Sequence, residues 1–101
     1  MLVVTNYKNI MDLTSSSNNI QHTAQLIMDA FREFGTQADE VLPFDDLLPY
    51  LEEHSDQPQH YKDSLKEAEY HLTKTAYAIP DAVGLRLTQV GYEALQEGKA
   101  V

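Results

Sequence analysis

The residues best equipped for chemistry lie between Lys62 and Arg86. At about 100° per residue, a helix through this stretch gathers Lys62, Asp63, Lys66, Tyr70, Thr73, Lys74 and Tyr77 on one face. No other surface of the chain interleaves bases with aromatics. Ammonium groups neutralise phosphates, Lys and Thr contact phosphates or base edges, and a Tyr hydroxyl reaches phosphate. Arg86 follows in a separate segment, placed to touch a nucleic-acid backbone or enter a minor groove. A second set has the opposite sign. Asp39, Glu40, Asp45, Asp46, Glu52, Glu53 and Asp56, with Glu33, are the eight acids between Glu33 and Tyr61, a span with no Lys or Arg. Such a surface suits a basic partner, with carboxylates standing where phosphates would.

Catalytic constellations are nearly absent. His54, Ser55 and Asp56 are consecutive, but a hydrolytic triad is assembled from residues that converge in space, which neighbours in one loop rarely do. The histidines, His22, His54, His60 and His71, show no metal-ligand spacing. The paired acids lack the alternating oxygen ligands and bend glycine of a calcium loop, and four isolated glycines make no phosphate loop. No enzymatic activity, metal or cofactor is expected.

The chain has 101 residues, which fits one domain able to bury an ordinary core. It contains no cysteine, so disulfides, zinc thiolates and thiol nucleophiles are excluded. Its apolar runs are too short for a membrane span, and its first residues lack the pattern of a signal peptide, so a cytoplasmic protein is expected. Sixteen acids against seven Lys and Arg give a net charge of -9. From Lys62 to Arg86 four bases (Lys62, Lys66, Lys74, Arg86) balance four acids (Asp63, Glu67, Glu69, Asp81), so the excess negative charge lies elsewhere.

These side chains need elements to hold them. Residues 1–18 read as an N-terminal strand or arm, with Met1–Thr5 apolar and β-branched, followed by a loop. The domain proper is expected over residues 19–98. Ile20, Ala24, Ile27, Phe31 and Phe34, spaced 4, 3, 4, 3, predict a first helix capped by Asn19 or Ser17 and closed at Gly35. Residues 36–44 connect. Asp46 is the expected N-cap of a second helix through about His54, with Pro49 in its first turn and Leu47, Leu48 and Leu51 inward. A loop over residues 55–59 leads to a third helix through Tyr77, with Tyr61, Leu65, Ala68, Leu72 and Ala76 inward. Ala78–Ile79 and the alternating run Val83–Thr88 predict a hairpin about Pro80–Asp81, with Val83, Leu85 and Leu87 on one side. Thr88 caps a last helix that Gly98 ends. The fold class is mainly α with a small β-hairpin (α+β).

From Lys66 to Leu95 the chain reads KEAEYHLTKTAYAI, a short linker, then GLRLTQVGYEAL. This resembles the end of winged helix-turn-helix domains, where a helix is followed by a wing strand, an L-T-x-x-G turn and a closing helix. It is similar to MarR- and PadR-like regulators, and to small winged-helix proteins of bacteria and phages. Where such domains often end the third helix on Gly or Leu, this chain has Ala76-Tyr77-Ala78. The resemblance places the third helix in the recognition position and Arg86 on the wing. It implies a DNA-binding transcriptional regulator that acts as a homodimer on double-stranded DNA; Met1–Thr5 and the terminal helix with Tyr92 and Leu95 are candidate dimer surfaces, or equally core elements. The alternative is an acidic inhibitor or adaptor that captures a basic nucleic-acid-binding protein, in the manner of a phage-borne anti-CRISPR or anti-restriction protein.

Overall fold

The structure is a computed structural model and describes residues 19–55 and 58–99. Among these residues the chain forms helix α1 (residues 19–33), strand β1 (Val41–Pro43), helices α2 (Phe44–His54) and α3 (Pro58–Lys74), strands β2 (Ala78–Pro80) and β3 (Gly84–Leu87), and helix α4 (Gln89–Glu97). The fold is α+β, with a three-stranded antiparallel sheet ordered β1-β3-β2. The arm over 1–18 and the Ser17 cap lie outside the described residues, and Asn19 is already helical.

The core forms where the helical periodicities predict it. Ala24, Ile27 and Phe31 of α1, Leu47 and Leu51 of α2, Ala68 and Leu72 of α3, and Leu85 and Leu87 of β3 are all at most 1% exposed. Burying each of the larger side chains contributes about 1.5–3 kcal/mol. Among the described residues a hydrogen bond joins α1 to α3 through this core, where Thr23 Oγ1 and Ser64 Oγ lie 2.8 Å apart. It satisfies both hydroxyls where water does not reach.

Three helices end on one device. A residue in the left-handed region turns the chain so that the next amide reaches back to a last-turn carbonyl. In α1, Gly35 has φ 66° and the Thr36 amide donates to Phe31 O at 2.9 Å. In α4, Gly98 has φ 70° and the Lys99 amide donates to Ala94 O. In α3 the pivot is Ala76, with φ 67°, and the Tyr77 amide donates to Leu72 O at 2.8 Å. A Cβ is disfavoured at that angle by about 1 kcal/mol.

Several expectations are corrected. Residues 36–44 are not a plain connector, because Val41–Pro43 forms β1 and pairs Val41 with Arg86, Leu42 with Leu85 and Pro43 with Gly84. Three residues ending in proline carry too little alternation to read as a strand. Helix α2 begins at Phe44 with Pro43 at its N-cap and no side-chain cap, so Asp46 lies in the first turn and Pro49 inside the helix. Strand β1 runs directly into the helix, which moves the start three residues upstream. Helix α3 begins at Pro58, inside the loop expected over residues 55–59. Helix α3 stops at Lys74, so Ala76 and Tyr77 are not on it, and Ala76 is exposed instead of inward. The Tyr61 side chain lies outside what is described. Phe34 (49% exposed) and Val83 (61% exposed) are not core, because each falls just past the end of its element.

The end of α3, the β2–β3 hairpin and the start of α4 meet at one joint. Ala78 pairs with Leu87 across β2 and β3. Thr88 caps α4 by accepting from the Gly91 amide at 2.9 Å. Its hydroxyl lies 2.5 Å from Ala76 O and 3.0 Å from Tyr77 O, and its amide donates to Tyr77 O. A Cβ on Gly91 would lie 2.1 Å from Tyr77 O, so only glycine admits this approach. The L-T-x-x-G run therefore fastens the last helix to the turn that follows α3.

Candidate nucleic-acid interface

Helix α3 buries Ala68 and Leu72 and presents its far side outward. Lys62, Lys66, Tyr70, Thr73 and Lys74 are all exposed, Tyr70 at 68%. Lys62, Lys66, Tyr70 and Lys74 recur every four residues, which spaces them about 6 Å apart along the axis. None of the three lysines is in an ion pair among the described residues. The Thr73 hydroxyl donates to Glu69 O at 3.0 Å, which leaves only its oxygen for a ligand.

The face is not purely basic, since Asp63 and Glu67 are exposed on the same helix. Glu69 is half-buried, and desolvation raises its carboxyl above the ordinary value, partly opposed by Lys66.

Two of the expected contact residues are placed elsewhere. Tyr77 is half-buried, packs against the core and supplies the carbonyl on which Thr88 and Gly91 sit. Arg86 is held by its neighbours. Its Nη2 meets Asp81 Oδ1 at 3.1 Å and its Nη1 donates to Asp39 O at 2.7 Å. The guanidinium thus clamps the β2–β3 turn to Asp39, two residues before β1, instead of reaching outward as expected. The sequence does not reveal this, because Asp39 approaches only when β1 pairs with β3.

The acidic set is surface. Asp45, Asp46, Glu52 and Glu53 are exposed along α2, and Asp39 and Glu40 are exposed before β1. Glu40 Oε1 accepts from the Gln37 amide at 2.7 Å, and Asp39 has φ 68°. Asp56 lies outside the described residues. Tyr92 and Leu95, expected at a dimer surface, are half-buried against the core.

One grouping has no signal in the sequence. Phe34, just past α1, meets Tyr50 of α2 edge to face with centroids 6.2 Å apart. Tyr50 in turn stacks on His54 at 4.1 Å. The Tyr50 phenol is raised above its ordinary value by burial first, then by Asp29 and Glu33, with Glu53 adding and Arg32 opposing. Phe34 also borders an open recess of about 360 Å³, lined further by Thr36, Glu40, Val41, Leu42, Pro43 and Asp46. The chain between the end of α1 and the start of α2 builds it by folding back on itself, which residue spacing alone does not show.

Among the described residues no group of three or more His, Asp or Glu is placed to hold a metal, and no helix is long and apolar enough to cross a membrane. No protein-family model, curated protein or solved structure matches the chain.

Proposed function

We propose that the chain is a winged helix-turn-helix domain that binds double-stranded DNA as a homodimer and regulates transcription without catalysis. The order helix, strand, helix, helix, strand, strand, helix supports this, as does the central place of β3 in the sheet. The observation that carries the reading is the outward row of Lys62, Lys66, Tyr70 and Lys74, on the helix that such domains lay in the major groove.

The row has limited strength. With Arg86 occupied, each protomer brings three lysines to the phosphates. At about 0.9 released counterions per phosphate, a monomer has a log–log salt slope near -3 and a dimer roughly twice that. A monomer of net charge -9 binds weakly at physiological salt, so the dimer is the competent form. The test is fluorescence anisotropy on mixed duplex DNA. The expected result is binding with a slope between roughly -3 and -6, abolished by Lys66→Glu with Lys74→Glu at unchanged circular dichroism. Unchanged affinity in that double variant removes the proposal.

A second reading has its own support. Asp45, Asp46, Glu52 and Glu53 are exposed along α2, and none is in an ion pair among the described residues. A basic nucleic-acid-binding protein would meet this surface in place of phosphates. Neutralising the four then weakens partner capture and leaves DNA binding no weaker, whereas the lysine variant does the reverse.

A further inference from the structure

We infer that the recess between the end of α1, β1 and the start of α2 is a socket for one arginine side chain of a partner protein. The inference is independent of the DNA reading, which rests on α3, and it narrows the second reading from a diffuse acidic surface to one place.

The lining gives the recess its character. Phe34, Val41 and Pro43 supply apolar wall, and Phe34 is 49% exposed, which leaves ring surface free. Glu40 and Asp46 stand on the same recess, and neither is in an ion pair among the described residues. Glu40 uses one carboxylate oxygen to accept from the Gln37 amide, and this fixes the carboxylate in place.

Size and charge together select the occupant. A volume of about 360 Å³ is near the lower end of the range for small-ligand clefts, about 300–1,000 Å³. It suits one long side chain better than a cofactor. Apolar walls with acids on the same recess favour a group with an apolar stem and a cationic head. Tyr50, which meets the recess-lining Phe34, feels the negative charges of Asp29, Glu33 and Glu53. Arg32 is the one cation acting there, and it lies 3.7 Å from Asp29. The local field therefore favours a positive guest. Between the two cationic side chains, guanidinium is the better match, because it is planar, stacks on aromatic faces and forks to carboxylates, whereas ammonium is a strongly hydrated point charge.

The site is tested with the full chain by amide chemical-shift titration. The probe is a capped pentapeptide of Gly and Ser with one central arginine. Its counterparts carry lysine or the uncharged isostere citrulline. The expected result is saturable shifts concentrated at residues 34–46, with binding several-fold weaker for lysine and lost for citrulline. Glu40→Gln with Asp46→Asn is expected to weaken the arginine peptide about tenfold, since two charge-assisted contacts are lost at a partly exposed site. The amide in Glu40→Gln still accepts from Gln37, so the loop is kept. Asp63→Asn with Glu67→Gln, exposed on α3 and outside the recess, is expected to change affinity less than twofold. Three results overturn the inference: no shifts at millimolar peptide, shifts spread evenly over the acids of α2 and α4, or equal loss in the two double variants. None of them touches the anisotropy result for α3.

Discussion

Thr88→Ala tests whether the joint between α3 and α4 rests on one hydroxyl. In the structure that oxygen accepts from the Gly91 amide at 2.9 Å and approaches Ala76 O and Tyr77 O at 2.5 and 3.0 Å. Losing an N-cap acceptor costs about 1 kcal/mol, within a range of 0.5–2. The hydroxyl has one proton to share between the two carbonyls, so its donation counts once and contributes about 1 kcal/mol. The sum is about 2 kcal/mol. For a domain of this size that lowers Tm by roughly 8–16 °C. Thr88→Ser keeps both roles and loses only a methyl group, so its Tm stays within a few degrees of the parent. The assay is thermal unfolding by far-ultraviolet circular dichroism, with hydrogen exchange at the Gly91 amide as the local readout. That amide is expected to exchange markedly faster in the alanine variant alone. If Thr88→Ala melts within about 2 °C of the parent, or if Thr88→Ser loses as much, the joint is held by something else and the reasoning fails.

Ala76→Gly is expected to stabilise the protein by about 1 kcal/mol, because glycine takes φ 67° without a Cβ clash, and a rise in Tm of roughly 4–8 °C measures it. Gly84→Ala is expected to cost at least about 3 kcal/mol, since its Cβ would lie 2.0 Å from Leu42 O and must push β1 off β3. Faster exchange at the Leu87 amide, which donates to Glu40 O, reports that separation. Glu69→Gln is expected to stabilise at neutral pH and to make no difference in acid. A carboxyl raised in the folded state keeps its stability below the ordinary value of 4.5 and loses it as pH rises through the higher folded value. Denaturation midpoints of parent and variant should therefore coincide below that value and diverge above it.

Much of the helical scaffold is legible in the sequence because the forces that make it are local. The spacing of Ala24, Ile27 and Phe31 decides which side of α1 is buried. Thr88 two residues after Arg86 announces a helix start, and Gly35 and Gly98 announce helix ends. The lysine row of α3 is legible for the same reason, since one helix carries all of it. The helical and strand periods mislead at element ends. Phe34 and Val83 continue the pattern of their elements but lie one residue beyond the backbone that would turn them inward. Tyr77 continues the period of α3, yet Ala76 has already reversed the chain.

The sequence by itself determined the helices, the hairpin and the charge on each, because period, caps and turn residues act within a few positions of one another. Only the tertiary structure decided which side chains remain free. Strand β1 exists because β3 offers it a ladder more than forty residues away, from Val41 to Arg86. That pairing brings Asp39 to Arg86 and, with Asp81, removes an expected contact residue from the surface. The packing of α1 beside α2 likewise sets Phe34 against Tyr50 and opens the acidic recess. Such juxtapositions depend on how the elements close on one another in space, and residue spacing carries no record of that closure.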